Sequence, residues 1–102
     1  MSDGAIVITG ARRTPIGAFQ GALSGASATD LSAAASKAAI ADSGIDAEAI
    51  SETLMGCVLP AGLGQAPARQ AALAAGVPQS RGATTINKVC GSGMKSVMMA
   101  HD

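Results

Sequence analysis

Aromatic side chains and net charge are what this sequence has least of. Its 102 residues include one Phe and no Trp or Tyr, and seven basic residues balance seven acidic ones. Nucleic-acid-binding domains present a basic surface, and those that hold single strands stack bases on aromatic rings. Because both features are missing, the sequence argues against a nucleic-acid partner, and its zero net charge argues against an anionic membrane surface.

Long apolar runs and metal-binding residues are also scarce. No stretch approaches the ~18 apolar residues that a membrane-spanning helix requires, and the N-terminal segment lacks the basic region and apolar run of a signal peptide. Two cysteines, Cys57 and Cys90, and a single histidine provide neither a disulfide framework nor metal-ligand spacing. We therefore expect a cytoplasmic protein with reduced thiols, no metal and no membrane partner.

Small side chains make up much of what is present. The chain has 23 Ala and 13 Gly, is 48% hydrophobic and only 14% charged, where soluble domains average roughly 25% charged residues. The hydrophobic fraction argues against intrinsic disorder. Since Ala and Gly each bury little surface, a core built from them is thin at this length. We therefore expect the chain to pack against further protein surface, as part of something larger.

Hydrophobic patterning and chain breakers predict an alternation of strands and helices. Strands are predicted at 5–9, 53–59 and 83–89, and helices at 30–43, 67–75 and from 94 to the end. This order is typical of a parallel-rich α/β sheet with right-handed crossovers and helices on both faces. The predicted fold is therefore the incomplete first half of a doubly wound domain, which occupies residues 1–102.

Capping residues set the predicted boundaries of the first helix. Thr29 is predicted to cap its N-terminus and Gly44 to follow its C-terminus. Asp46 is placed to cap a further helical turn. The predicted inner face of the first helix consists of Leu31, Ala34, Ala35 and Ala38.

The strongest local feature is the segment 87–93, NKVCGSG, here called the Cys90 elbow. A predicted strand runs into Cys90, glycines follow, and a predicted helix begins. Such a turn exposes a nucleophile at the carboxyl end of a strand, where open α/β sheets bind ligands. The positive end of the helix dipole favours a thiolate, and free amides there can stabilise an oxyanion. On spacing alone, a catalytic Cys90 and a buried structural Cys90 are about equally supported.

Two phosphate-binding motifs fail on spacing. A P-loop needs adjacent glycine and lysine, but Met94 separates Gly93 from Lys95. A dinucleotide fingerprint that begins at Gly62 has Pro67 in place of its third glycine. We therefore reject both.

The remaining chemistry-bearing side chains are predicted to be structural. Cys57 lies in an apolar strand and is predicted to be a small core residue. His101 follows Cys90 by eleven residues, about 16 Å along a helix, so it is predicted to be a surface histidine and not the base for this thiol. The predicted core-filling methionines are Met94, Met98 and Met99, and the predicted solvated loop charges are Arg12 and Arg13.

Residues 87–94 (NKVCGSGM) resemble the nucleophile segment of the thiolases, the acetyl-CoA acetyltransferases. Residues 11–17 (ARRTPIG) and 55–70 (MGCVLPAGLGQAPARQ) are similar to earlier thiolase segments in the same order. One departure is Ala66, where many relatives have Asn, and no catalytic residue is affected. The chain therefore resembles the N-terminal part of a thiolase N-terminal domain.

The resemblance implies a specific chemistry. Cys90 would attack the thioester carbonyl of an acyl-CoA and hold the acyl group as an acyl-enzyme intermediate. Two acetyl-CoA would condense to acetoacetyl-CoA, or a 3-ketoacyl-CoA of fatty acid metabolism would be cleaved by thiolysis. Coenzyme A carries the substrate, and no metal or redox cofactor is implied. Thiolases carry a catalytic His and a second, acid/base Cys in a C-terminal domain, so these 102 residues alone are expected to be inactive.

The resemblance also implies a partner. A strand from Ala83 to Val89 is a candidate sheet edge, and an exposed edge is a liability unless another strand covers it. We therefore expect a homodimer or homotetramer formed through this edge.

Two other functions stay open. A ketoacyl synthase has a similar fold and elbow cysteine, although the Gly-Ser-Gly after Cys90 and residues 65–70 favour a thiolase. A non-catalytic interaction module that kept the fold is the second alternative. Acyl transfer to Cys90 would separate an enzyme from such a module.

Overall fold

Two of the three predicted strands form in the computed structural model, which describes residues 4–102. The elements are α1 (Ala28–Ser43), a short 3-10 helix (Ala47–Ala49), β1 (Glu52–Gly56), α2 (Pro67–Ala74), β2 (Gly82–Ile86) and α3 (Ser92–His101). The first three residues of the N-terminal segment lie outside the described residues. The predicted helix–strand order from α1 onward is confirmed, with boundaries that differ by at most three residues.

The sheet is parallel, as predicted. β1 and β2 run side by side in a register that pairs Glu52 with Gly82 and Gly56 with Ile86. Parallel neighbours need a crossover connection, and α2 is that connection. The Cys57 amide extends the ladder by one bond, because it donates to the Ile86 carbonyl at 2.9 Å.

The predicted strand at 5–9 is wrong for this structure. The segment forms no ladder with β1 or β2, which together make a two-stranded sheet. Ile6, Val7 and Ile8 are 60%, 69% and 80% exposed. A strand needs a neighbour for its backbone N–H and C=O groups, and none of the described residues pairs with this segment. β-branched composition cannot supply that neighbour.

Helices cover both faces of the sheet. Thr85, opposite Met55 in the register, accepts a hydrogen bond from the Ala68 amide of α2 at 3.0 Å. One residue after Met55, an ideal Cβ on Gly56 would lie 2.5 Å from the carbonyl carbon of Ser92 in α3. Because successive strand residues point to opposite faces, α2 and α3 pack on opposite sides. α1 packs against α2 as an outer layer.

The core is small and consists mainly of alanine, as the composition predicts. α2 and the residues just after it supply all five buried hydrophobic side chains among the described residues: Ala68, Ala71, Ala72, Ala75 and Val77. α1 buries none of its residues fully. Ala34, predicted to face inward, is exposed, and that prediction is wrong.

α1 begins two residues earlier than predicted, and Ser27 replaces Thr29 as its N-cap. The Ser27 hydroxyl accepts from the Asp30 amide at 3.0 Å, and the Asp30 carboxylate accepts from the Ser27 amide at 3.2 Å. This reciprocal capping box needs an acidic or amide residue three positions after the cap, and only Ser27 has one in Asp30. Gly44 ends the helix at φ 73°, and Asp46 caps the 3-10 helix, both as predicted.

Candidate active site

The Cys90 elbow lies between the carboxyl end of β2 and the first turn of α3. Cys90 is exposed and carries a free thiol. It directly precedes Gly91, the N-cap residue of α3. The structure therefore places Cys90 at the sheet end where the sequence predicted it and leaves its side chain accessible.

The turn is tight, and its backbone is strained at Val89. The Gly91 amide donates to the Lys88 carbonyl at 3.0 Å, and the Ser92 amide donates to the Val89 carbonyl at 3.2 Å. Val89 has φ 48°, a left-handed conformation that is an outlier for a β-branched side chain. Strain of this kind persists only where surrounding contacts impose it, and it clusters at functional sites.

Ser92 bonds to the backbone on both sides of the Val89 turn. Its hydroxyl accepts from the Lys88 amide at 2.8 Å and donates to the Val89 carbonyl at 2.6 Å. The residue is 5% exposed. One helical turn later, the buried Ser96 hydroxyl donates to the Ser92 carbonyl at 2.9 Å. The buried Ser92 hydroxyl thus stabilises the turn that carries Cys90.

Asn87 ties the elbow to the loop that follows β1. Its side-chain oxygen accepts from the Val89 amide at 3.0 Å, in the pattern of an Asx turn. Its amide nitrogen donates to the Val58 carbonyl at 3.3 Å. Asn87 therefore joins the two strand ends at the edge of the sheet that carries Cys90.

The start of α3 leaves hydrogen-bond donors open. No side chain caps this helix, and within the described residues the Gly93 and Met94 amides have no acceptor. Uncapped N-terminal amides carry the positive end of the helix dipole. The elbow thus combines an accessible thiol with donors able to stabilise negative charge nearby.

Gly56 is a site residue that the sequence reasoning missed. Its ideal Cβ would lie 2.5 Å from the Ser92 carbonyl carbon and 2.6 Å from the Gly93 nitrogen. The first turn of α3 therefore lies directly on the β1 backbone. A glycine inside a strand pattern is the signal that indicates such a close approach.

Cys57 is not the fully buried core residue that was predicted, whereas His101 is the surface histidine that was predicted. Cys57 is half-buried after β1 and lines a cavity of about 40 Å³. His101 is exposed in the last turn of α3, where its Nδ1 lies 3.3 Å from Asp102 Oδ1. The elbow therefore contains one thiol, and none of the described residues supplies a histidine base beside it.

The methionines of α3 are not core residues, and that prediction is wrong. Met94, Met98 and Met99 are 74%, 53% and 38% exposed. α3 contacts the sheet through its small residues, and its buried residues are Ser92 and Ser96. None of the described elements covers the opposite face of the helix.

Arg12 differs from the solvated loop charge that was predicted. Its Nη1 lies 2.7 Å from Asp42 Oδ2, and both side chains are about half exposed. The hydrogen bond to Asp42, and then the carboxylate charge, raise the pKa of Arg12 above its usual value. Arg13 is exposed and donates to the Thr14 carbonyl at 3.4 Å. Arg12 thus joins the loop to α1.

A groove of about 760 Å³ lies elsewhere. It is lined at the amino end of β1 by Glu52 and Thr53 and at the end of α3 by Met99, and it does not include Cys90. The groove offers volume without a nucleophile. We therefore assign the candidate active site to the elbow on chemistry and not on size.

Two further features are absent from residues 4–102. No three His, Cys, Asp or Glu side chains come together as metal ligands there. No helix in the same range is long and apolar enough to cross a membrane.

Comparison with known families places these features in context. The family model described as "Thiolase, N-terminal domain" matches residues 6–102. Acetyl-CoA acetyltransferase B, mitochondrial, of Xenopus laevis is 59% identical over 95 residues, which are 93% of this chain and 23% of that protein. The probable acetyl-CoA acetyltransferase of Escherichia coli K12 is 53% identical over 95 residues, 93% of this chain and 24% of that protein.

Solved structures agree on the fold. A thiolase from Ascaris suum in complex with coenzyme A superposes with a TM-score of 0.89 at 47% identity, over 91% of this chain and 24% of that one. The acetyl-CoA acetyltransferase from Syntrophomonas wolfei has a TM-score of 0.87 at 37% identity, over 92% of this chain and 24% of that one.

The chain spans about a quarter of the length of the relatives it matches. Within that span the family match runs through all six helices and strands of the described residues and the elbow. The predicted resemblance and fold class are therefore confirmed, and the chain belongs to the thiolase family, within its N-terminal domain.

Proposed function

We propose that the protein containing this chain transfers acyl groups between coenzyme A thioesters, with Cys90 as the nucleophile. It condenses two acetyl-CoA to acetoacetyl-CoA or runs the same steps backwards as thiolysis. The observation that carries the proposal is the exposed Cys90 thiol on a strained turn, beside the open amides at the start of α3. Nucleophile and charge-stabilising donors are the two groups that acyl transfer requires first.

The first step balances without a metal or a redox group. The Cys90 sulfur attacks the thioester carbonyl carbon, a new C–S bond forms, and the carbonyl oxygen becomes an oxyanion. When the carbonyl re-forms, the C–S bond to coenzyme A breaks and its thiolate takes up the proton that Cys90 loses. The acyl group is then held on Cys90, and the next acceptor receives it.

The described residues supply only part of this chemistry. Condensation also requires a base that removes a proton from the second acetyl-CoA, and His101 lies at the far end of α3. We propose that the base and most of the coenzyme A site come from outside residues 1–102. The relatives named acetyl-CoA acetyltransferase and the Ascaris suum thiolase complex with coenzyme A support this substrate class.

Mass spectrometry tests the proposal. The protein that contains this chain, at its natural length, is incubated with acetyl-CoA and quenched in acid. We expect the added mass of one acetyl group, mapped to the peptide that carries Cys90. Cys90→Ala should abolish the adduct, while Cys57→Ala, which removes the other thiol, should keep it.

The outcomes separate the alternatives. A folded protein whose Cys90 stays unmodified would support the non-catalytic module. An adduct that forms from an acyl carrier protein and not from acetyl-CoA would support a ketoacyl synthase.

We also propose that β2 pairs with a second copy in a homodimer or homotetramer. Within the described residues β2 has one hydrogen-bonded neighbour, β1, so its outer edge is open to another strand. Light scattering of the purified protein should give two or four times the mass of one chain. A monomer at micromolar concentration would contradict this, and it would leave the proposed chemistry standing. Because Cys90 must stay reduced to act, we propose a reducing, cytoplasmic location.

A further inference from the structure

Of the two strand glycines in residues 4–102, Gly56 is the one whose missing side chain decides how two elements pack. An ideal Cβ there would lie 2.5 Å from the Ser92 carbonyl carbon, 2.6 Å from the Gly93 nitrogen and 2.7 Å from the Ser92 oxygen. Real Cβ atoms do not approach other atoms closer than 3.0 Å. Since all three are backbone atoms, they cannot rotate away. Any side chain at this position must push the first turn of α3 away from β1.

Gly82 provides a matched comparison in the same sheet. It begins β2 and pairs with Glu52, at the other end of the ladder from Gly56. Nothing lies within 4 Å of its ideal Cβ, and neither glycine has a positive φ. Gly56→Ala and Gly82→Ala therefore make the same chemical change in one sheet, and only Gly56→Ala collides with the elbow.

Ser92 and Ser96 form a second matched pair. They are 5% and 6% exposed and lie one turn apart on α3. The Ser92 hydroxyl joins the Lys88 amide to the Val89 carbonyl across the turn, whereas the Ser96 hydroxyl only donates back to its own helix. Ser92→Ala therefore removes both hydrogen bonds that hold the turn at Val89. Ser96→Ala makes the same side-chain truncation and leaves those two bonds in place.

Both contacts act on the backbone next to Cys90. Ser92 bonds to Val89, which precedes the cysteine, and Gly56 lies against Ser92 and Gly93, which follow it. Val89 is held in a left-handed conformation that it does not favour by itself. The direction of the thiol therefore depends on contacts that Cys90 does not make.

We propose that Gly56 and Ser92 are positioning residues for the Cys90 thiol. The inference rests on the proposed function, because it concerns the alignment of Cys90 against a thioester. Neither residue is required to touch substrate. Gly56 sets how closely the start of α3 lies on the sheet, and Ser92 sets the turn from which the thiol projects.

Two reaction rates of the Cys90 thiol, alkylation and acylation, distinguish a change in the position of the thiol from a loss of folding. Alkylation of Cys90 by iodoacetamide needs an accessible thiolate, whereas acylation by acetyl-CoA also needs alignment of that thiolate with charge-stabilising donors. Both rates are measured in the natural-length protein carrying Gly56→Ala, Gly82→Ala, Ser92→Ala or Ser96→Ala. Circular dichroism and the KM for acetyl-CoA are recorded for each.

We expect the acylation rate to fall roughly 10²-fold in Gly56→Ala, the scale that a displacement of about 1 Å produces. For Ser92→Ala we expect a fall of roughly tenfold. Alkylation rate and KM should stay near wild type in both, and Gly82→Ala and Ser96→Ala should keep wild-type acylation.

Unchanged acylation in folded Gly56→Ala and Ser92→Ala would overturn the proposal. So would equal losses in the two control variants, or a parallel fall of acylation and alkylation. If Gly56→Ala does not fold, the Ser92 and Ser96 pair decides. A wild-type protein whose Cys90 takes no acetyl group gives a different result, because it overturns the proposed function itself.

Discussion

The first turns of α1 and α3 differ in whether a side chain caps their unpaired backbone amides. Each helix begins with amides that lack acceptors inside the helix. α1 closes its first turn with the reciprocal bonds of Ser27 and Asp30, whereas the N-cap residue of α3, Gly91, makes no side-chain cap. The uncapped start is the one that follows Cys90. A capped start stabilises a helix, and an uncapped start beside a thiol leaves donors available for a ligand.

The largest expected effect tests whether the α3 start is catalytic at all. Cys90→Ala should lower acyl transfer by roughly 10⁶-fold, the scale on which other covalent nucleophiles contribute. Ser27→Ala, at the α1 start, should leave the rate unchanged. The measurement is steady-state turnover of acetyl-CoA by the natural-length protein. Comparable losses in both variants would mean that the two helix starts do not differ in role.

A side chain that caps the first turn of α3 should lower the rate of acylation and leave the stability of the protein unchanged. Gly91→Asp introduces an acceptor and a negative charge beside the amides that the proposed function assigns to the oxyanion, and the position has room, because the nearest neighbour to an ideal Cβ is 3.5 Å away. We expect a fall of roughly 10²-fold in acylation, similar to the loss of one oxyanion donor. Thermal unfolding should stay near wild type. Undiminished acylation would show that the open amides have no part in the reaction.

Removing the side-chain cap of α1 should have the reverse effect, lowering the stability of the protein and leaving acyl transfer unchanged. Ser27→Ala removes one half of the capping box and should lower the free energy of unfolding by about 1 kcal/mol. Denaturant unfolding of the natural-length protein measures the change. Ser24→Ala, in the preceding loop, is the control, because the Ser24 side chain caps no helix. A Ser27→Ala protein as stable as wild type would remove the contrast between the two helix starts.

The start of α2 offers the smallest and most specific change. Ala66 precedes Pro67 in a left-handed conformation with φ 49° and makes no capping bond. Asn adopts this conformation more readily than Ala, so Ala66→Asn should raise the free energy of unfolding by about 0.5 kcal/mol. Ala74→Asn, in the last turn of the same helix, has right-handed backbone and should lower it. A loss of stability in Ala66→Asn would contradict the backbone assignment.

How far sequence reasoning reaches differs between neighbouring elements. Pro67 predicted the first residue of α2, because proline at that position lacks only an amide that the helix would leave unpaired. Residues 5–9 have stronger β-propensity than β1, yet they form no strand, since a strand exists only through its neighbour. Local chemistry decides a helix start, and pairing decides a strand.

The features of the candidate site also divide into those that the sequence predicted and those that it did not. Cys90 was identified from a short run of neighbours, the glycines and the predicted strand around it. Three other features of the site were not identified from the sequence: the left-handed conformation of Val89, the hydrogen bonds of Ser92 and the close approach at Gly56. The Gly56 contact requires backbone atoms of β1 and α3 to meet, and these segments are distant along the chain. The Ser92 bonds span only three and four residues, but a serine beside glycines does not by itself indicate which backbone groups it contacts. The exposure of the α3 methionines was missed because it depends on which faces have a neighbour.

The sequence by itself determined the order of helices and strands from α1 to α3, the alanine core, and Cys90 at a strand-to-helix turn. These follow from propensity, capping chemistry and spacing within a few residues. Only the tertiary structure decided which strands pair and how closely the start of α3 lies on β1 at Gly56. Those features depend on free energies of contact between distant segments, which no local pattern contains.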